Sequence, residues 1–524
     1  MQPLVINNKI PPYPIMRTVS TDLFDLIHAL SANDKRIFKL YAQGYDSQKD
    51  DDKLYIKLFD EIAKQSTYDE NALKEKLDNR SFNSQPTPFK NHLFNLIIKT
   101  LAPIQEAAEA SVKINQKISS INFLYQKKVY KPAMAAFKRL WAELEESEEY
   151  SAMLFLLPFR HRLYQANSIN EYMNVIREYP ILLDEISSKV NEIARYLCLG
   201  QDVVKISDLK GQASQEEIEQ RLADFFQIPL LHTPPSLSNK SLCAYHIARC
   251  LYYDIKEDHE SCYQEHLKIV EIWENKKSWQ QQSPENWVNL LSKQCLAALQ
   301  ARRYDDLQRF IEQLDTLELD NERLSKMRDL YVLCKKLTLS VASRQIAQFP
   351  DRLEAFERLK KEDPKSTQNF TFLDATQDAF SAYFILGNHK AAFQTLQYSL
   401  YQLADWGNQD SDVFFSWAEI LLLIEDTATA TAQSKITGFV RKLKKAPNQN
   451  QYLLTWLTAI SEWLKAKSPE LKTQILEQCR SKMAAYHSMP QYQLAIQFID
   501  FDLWLQSKLT QKTLLQCYKE ATHQ

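Results

Sequence analysis

Six glycines in 524 residues constrain this chain more than any motif it contains. A soluble protein ordinarily carries about 7% glycine. Phosphate-cradling loops, tight hairpins and sharp strand-to-helix turns need glycine, either for positive φ or for close backbone approach. Here the six stand far apart, at Gly44, Gly200, Gly211, Gly387, Gly407 and Gly438. That spacing excludes a P-loop, a G-x-G-x-x-G fingerprint and a G-x-S-x-G elbow. What remains is a chain that turns rarely, and helices turn least often per residue.

The hydrophobic pattern agrees. Apolar residues recur at three- and four-residue spacing almost throughout, as in Leu23, Leu26, Ile27 and Leu30, and again in Leu93, Leu96, Ile97 and Leu101. This period is helical, and alternating strand patterns are hard to find. The fold expected is all-α. Residues 1–20 carry four prolines and no pattern, and read as a flexible arm. Residues 21–102 read as a compact helical cap domain. Ser31 is the N-cap of a helix with Asp34 in its first turn. An acidic loop is expected over Asp46–Asp52, helices over Leu54–Gln65 and Asp69–Asp78, and a Ser/Asn/Pro loop over Asn79–Pro88. A strongly apolar helix then ends near Pro103.

From residue 111 the pattern becomes one of paired helices. Tyr383, Gly387 and Ala392 hold the aromatic, the turn glycine and the small contact residue of a tetratricopeptide-type hairpin. Lys128–Val129–Tyr130 and Arg302–Arg303–Tyr304 repeat the logic. Turns are expected near residues 258, 304, 348, 388, 427, 468 and 509, about 40–45 apart, against the ~34 of a regular tetratricopeptide repeat. The architecture expected is a degenerate tetratricopeptide-like α-solenoid, a right-handed superhelix. Residues 111–200 form a first hairpin segment, 201–237 an irregular linker with its break at Gly200–Pro235, and 238–524 the main solenoid.

Both ends carry a resemblance. The segments Thr21–Ala42 (TDLFDLIHALSANDKRIFKLYA), Lys53–Leu77 and Phe498–Leu509 (FIDFDLWLQSKL) resemble a family of bacterial cytoplasmic tetratricopeptide-like helical-repeat proteins. The resemblance implies a helical-repeat fold. It brings no known chemistry and no catalytic residue to carry over.

Charge and composition narrow the partners. Sixty-four basic and 66 acidic residues leave a net charge of −2, so no global field attracts nucleic acid or an anionic membrane. The apolar stretches Met153–Phe159 and Ile420–Ile424 fall far short of the ~20 residues a membrane span needs. Eight cysteines without a C-x-x-C read as reduced thiols in a cytoplasmic protein.

Few residues offer chemistry. Cys243-x2-His246-x3-Cys250 is followed by His259-x2-Cys262-x3-His266, and on two antiparallel helices these triplets face each other as a zinc site would require. Against that, a turn near 258 puts Cys250 and Cys262 at the small-residue contact positions of a hairpin, and His259 at an exposed helix start. Cys295 holds the matching place in the next hairpin with no histidine nearby. On this reading the cysteines pack, and no metal or other cofactor is expected.

A helix-turn-helix is spelled by Leu58–Gln65 and Glu70–Leu77. However, Lys53, Lys57, Lys64, Lys74, Lys76 and Arg80 are matched by Asp60, Glu61, Asp69, Glu70, Glu75 and Asp78, which a reader of phosphates does not afford. The basic run Arg441, Lys442, Lys444 and Lys445 and the acidic run Glu143–Glu149 read as a helix end and a solvated face. No H-E-x-x-H occurs, and no catalysis is expected. The terminal group Ile496, Phe498, Ile499, Phe501, Leu503, Trp504 and Leu505 reads as core, or as a contact surface if Phe501 and Trp504 are uncovered.

The function expected by elimination is non-catalytic binding of a protein or peptide along the concave side of the solenoid. Asn289 and Lys293, one turn apart on a first helix and pointing away from Leu291 and Cys295, are the candidate contacts. An amide and an ammonium so placed grip a peptide backbone or a carboxylate. The alternatives are a peptide-sensing transcriptional regulator using the N-terminal unit, and a metal-binding protein using the Cys/His hairpin.

Overall fold

The computed structural model describes residues 22–44, 50–106, 110–167, 169–209, 213–362, 370–403, 409–445 and 450–522. The expected arm, 1–20, lies outside them. Among the described residues the chain is all-α, with helices and short 3-10 turns and no strand. It divides into two compact units, residues 1–136 and 137–524.

The first unit is built from amphipathic helices around Leu23, Ile27, Phe38, Leu58, Phe59, Ile62, Leu73, Phe82, Leu93 and Ile97. The Ser31 cap forms as a reciprocal pair. Asp34 N–H donates to Ser31 Oγ at 3.1 Å, and Ser31 N–H donates to Asp34 Oδ2 at 3.0 Å, which satisfies donors a helix start leaves open. Two expected loops are corrected. The helix Asp50–Lys64 takes up the last three residues of the acidic stretch, whose first four, 46–49, lie outside the described residues. The Ser/Asn/Pro stretch contains a helix, Arg80–Ser84, and the start of the long helix Pro86–Glu106. Asn79 Oδ1 accepts from Phe82 N–H at 3.0 Å, and a proline in a first helical turn forfeits only a donor with no intrahelical partner.

In the second unit, helices pack on their sequential neighbours. Tyr150–Asn167 lies against the 39-residue helix Ile169–Ser207, within which Gly200 falls. Gln215–Phe226 follows. Then come six helical hairpins, numbered here in order. Hairpin 1 is Asn239–Ile255 with His259–Asn275, hairpin 2 Pro284–Gln300 with Tyr304–Asp315, and hairpin 3 Glu322–Ala342 with Phe349–Glu362. Hairpin 4 is Phe370–Ile385 with His389–Leu403, hairpin 5 Gln409–Glu425 with Thr429–Lys445, and hairpin 6 Gln451–Lys465 with Pro469–Met483.

One backbone device ends the first helix of hairpins 1 to 5. Glu257, Arg302, Arg344, Gly387 and Thr427 have φ between 58° and 77° and are spaced 40–45 residues apart. At each, that residue's N–H bonds back three residues and the next N–H bonds back five, as in Arg302 to Leu299 and Arg303 to Ala298. This is the Schellman closure, which satisfies carbonyls a helix end leaves open. Glycine is the easy residue there, yet only hairpin 4 uses it. A side chain at left-handed φ costs roughly 1–2 kcal/mol.

The C-terminal segment supplies a reason for that cost. The helices Pro490–Phe498, Phe501–Thr510 and Leu514–Thr522 return to cover the first helices of hairpins 3 and 4. Gln491 donates to Glu257 at 3.0 Å, Arg302 donates to Gln493, and Arg344 donates to Asp500 at 2.5 Å. Three turn residues thus hold the C-terminal segment with side chains that glycine lacks. Trp504 donates to Glu425 at 3.0 Å, and Lys508 pairs with the same carboxylate. Phe501 and Trp504 are each 1% exposed, so the terminal aromatic group is core.

Gly387 provides a clean test of the turn. A Cβ built on it meets no atom within 4 Å, so backbone conformation alone sets the effect of Gly387→Ala. The expected loss is about 1 kcal/mol, read by urea denaturation. An unchanged midpoint would mean that the left-handed turn is absent.

Candidate functional site

The six Cys/His residues of hairpin 1 do not form one cluster. Cys250, Cys262 and His266 come together, with one ligand atom from each lying within 4.8 Å of the others. Cys250 is on the first helix. Cys262 and His266 are four apart on the second, hence on one face. Cys250 Sγ donates to the Cys262 carbonyl at 3.7 Å, and burial pushes its thiol far above the usual range. Burial, with Lys293 nearby, holds His266 down at about 4. Its imidazole is therefore neutral near pH 7, and its Nδ1 is buried with no hydrogen-bond partner.

The other three are elsewhere. Cys243 is buried, and its thiol is pushed up to about 12. His246 Nδ1 lies 2.5 Å from Glu265 Oε2, and Arg249 and Lys268 reach the other oxygen at 3.0 and 3.1 Å. Burial alone would raise Glu265, but these bonds outweigh it and leave the carboxyl at about 2. The sequence reading missed Glu265, a buried anion that claims His246 for structure. His259, expected to be exposed, is half-buried, and both ring nitrogens are shielded without a partner.

Asn289 and Lys293 lie on the first helix of hairpin 2, and Leu291 and Cys295 beside them are fully buried. Lys293 is exposed. Asn289 is half-buried, and its Oδ1 accepts from Tyr331 OH at 3.1 Å. Counted back from the left-handed turn residue, Asn289 and Lys293 are the thirteenth and ninth positions. In hairpin 3 those positions are Tyr331 and Lys335, and in hairpin 4 they are Asp374 and Asp378. Hairpins 1 and 5 place Ala244 and Ala248, and Phe414 and Ala418, there. A polar row therefore crosses three adjacent first helices and stops on both sides at apolar residues.

The middle of the row is sunk. Lys335 is 7% exposed, and among the described residues it forms no hydrogen bond or ion pair. Asp378 is buried and accepts from Thr338 Oγ1 at 2.6 Å. Burial raises its carboxyl to about 7, against the opposing Thr338 bond and Lys335 charge. Lys335, Asp374 and Asp378 were not singled out from sequence. Aligning the first helices on their turn residues would have found them.

Two surface readings change. The acidic run is not uniformly solvated: Glu148, at φ 57°, is buried and caps hairpin 1, accepting from Asn239 at 2.6 Å and Lys240 N–H at 3.0 Å. In the N-terminal helix pair, Lys64 and Lys76 lie 2.6 and 3.4 Å from Glu61, and Lys90 and Lys74 lie 2.6 and 3.4 Å from Glu70.

Compared with known proteins, the chain matches no family model, no curated sequence and no solved structure. What stands of the family resemblance is its coarse fold expectation, an all-helical chain with sequential helix packing. No helix among the described residues is long and apolar enough to cross a membrane.

Proposed function

We propose that this is a non-catalytic scaffold of degenerate tetratricopeptide-like hairpins that binds a peptide segment of a partner protein on the first-helix face of hairpins 2 to 4. The observation that carries the reading is the polar row, above all Lys335. The Lys335 side chain is 7% exposed and has no hydrogen bond or ion pair among the described residues, Asp374 and Asp378 acting on its charge only at longer range; a carboxylate from a partner supplies the charge-assisted bond it lacks. Lys293, at the equivalent place one hairpin away, adds a second cation, and Asn289 adds an amide.

A non-catalytic role is supported by the thiols. Burial pushes Cys243, Cys295, Cys334 and Cys479 up to about 12, which leaves them poor nucleophiles. All eight cysteines are free, which supports a reducing, cytoplasmic compartment. The lysines committed to Glu61 and Glu70 weigh against a DNA-binding role for the N-terminal pair.

The test needs a partner isolated by pull-down from native cytosol. The double variant Asn289→Ala, Lys293→Ala is expected to weaken binding by about 1–3 kcal/mol. The control Glu312→Gln, on the second helix of hairpin 2, should bind as wild type. Equal affinities for all three proteins, with binding abolished by deleting residues 1–102, would assign recognition to the N-terminal unit instead.

A further inference from the structure

Hairpins 1 to 5 share one contact layer beside the turn. Its three positions lie seven residues before the left-handed residue and five and nine after it. In hairpin 2 they are Cys295, Leu307 and Ile311, and in hairpin 3 Leu337, Phe349 and Leu353. In hairpin 4 they are Phe380, Ala392 and Leu396, and in hairpin 5 Ile420, Ala432 and Ile436. All twelve are buried. In hairpin 1 alone the same three positions are Cys250, Cys262 and His266, the trio whose ligand atoms converge.

Ordinary packing accounts for the cysteines, which serve as small apolar residues. It does not account for the histidine. Three of the other four hairpins carry leucine or isoleucine at the His266 position beside a small or aliphatic neighbour, and the fourth carries leucine beside phenylalanine. An imidazole there exchanges apolar contact for a buried nitrogen that no hydrogen bond satisfies, an exchange that costs stability unless something binds the nitrogen.

We propose that Cys250, Cys262 and His266 bind a zinc ion. Two sulfurs and one imidazole nitrogen are a borderline-soft donor set suited to zinc, and three protein ligands leave the fourth tetrahedral place to water or an outside donor. Donors around a tetrahedral zinc stand roughly 3.5–4 Å apart, so the trio needs to contract by only about 1 Å. The charge also balances. Zn²⁺ displaces the proton of each thiol, two protons leave to solvent, and a dication with two thiolates and a neutral imidazole buries no net charge. The proton that Cys250 shares with the Cys262 carbonyl is one of those lost. His246 stays on Glu265 and takes no part.

The neighbouring hairpins supply variants suited to the fold. Cys262→Ala installs the residue hairpins 4 and 5 use, and His266→Leu the residue hairpins 3 and 4 use. The full-length chain, purified without a metal-affinity column and stripped with chelator, is titrated with Co²⁺ and then with Zn²⁺. The expected result is a thiolate-to-cobalt charge-transfer band with visible tetrahedral bands, saturating near one ion per chain and displaced by zinc. Each variant should lose binding by on the order of 100-fold or more while keeping its helical circular dichroism, and Cys295→Ala should bind as wild type. No charge-transfer band in the folded wild-type chain overturns the proposal, whatever the variants do. Zinc affinity unchanged in Cys262→Ala or His266→Leu overturns it equally.

Discussion

Trp504→Ala is expected to lower the stability of the second unit by about 3–5 kcal/mol, the usual cost of emptying a buried aromatic site. The ring is almost wholly buried, with its centroid 5.2 Å from that of Trp456 and the Lys508 ammonium 5.2 Å from its own centroid. Its Nε1–H satisfies Glu425, a residue of the turn that ends the first helix of hairpin 5. Truncation removes the packing and one of the bonds holding the C-terminal helices to the hairpins. Urea denaturation followed by circular dichroism measures the loss. Phe123→Ala, at a site 61% exposed, should stay within about 0.5 kcal/mol of wild type. A loss below about 1 kcal/mol at Trp504 would mean that the terminal segment is not docked as described.

The second large effect depends on pH. Burial raises the Asp378 carboxyl to about 7 in the folded chain, whereas an unfolded aspartate ionises near ~3.9. Between those values the folded state holds a proton that the unfolded state has released. Stability from this group is therefore fully present below about pH 4 and is lost as pH rises through about 7. A shift of about three units corresponds to roughly 4 kcal/mol at most. Asp378→Asn fixes the neutral form while keeping an acceptor for Thr338. The variant should match wild type near pH 4 and exceed it by roughly 2–4 kcal/mol at pH 8. If wild type and variant instead show parallel stability profiles over that range, Asp378 is ionised in the fold and the sunk row is more polar than described.

The helical character of the chain was legible because it rests on local rules. The period around Leu23 and Leu93, the Ser31 cap and the turns at Arg302 and Gly387 all depend on neighbours in sequence. The loop expected over Asn79–Pro88 failed for a local reason too: Ser, Asn and Pro mark helix starts as readily as breaks, and here they begin two helices. What the sequence did not disclose is tertiary. Glu257, Arg302 and Arg344 hold turn positions that favour glycine because their side chains meet residues 156 to 234 positions further along the chain. Glu265 takes His246 out of the Cys/His set from the adjacent helix, and Glu148 leaves the acidic run to cap a helix 91 residues away. Lys335 was overlooked because a lysine in a helix normally reads as surface. Only the shared register with Lys293 marks it.

Hydrogen–deuterium exchange on the full chain, with and without its isolated partner, tests the binding-face claim most directly. Protection on binding is expected in residues 284–300, 322–342 and 370–385, the first helices of hairpins 2 to 4, with the second helix 304–315 unchanged. Protection confined to residues 22–106, with those three helices exchanging as in the free chain, would contradict it.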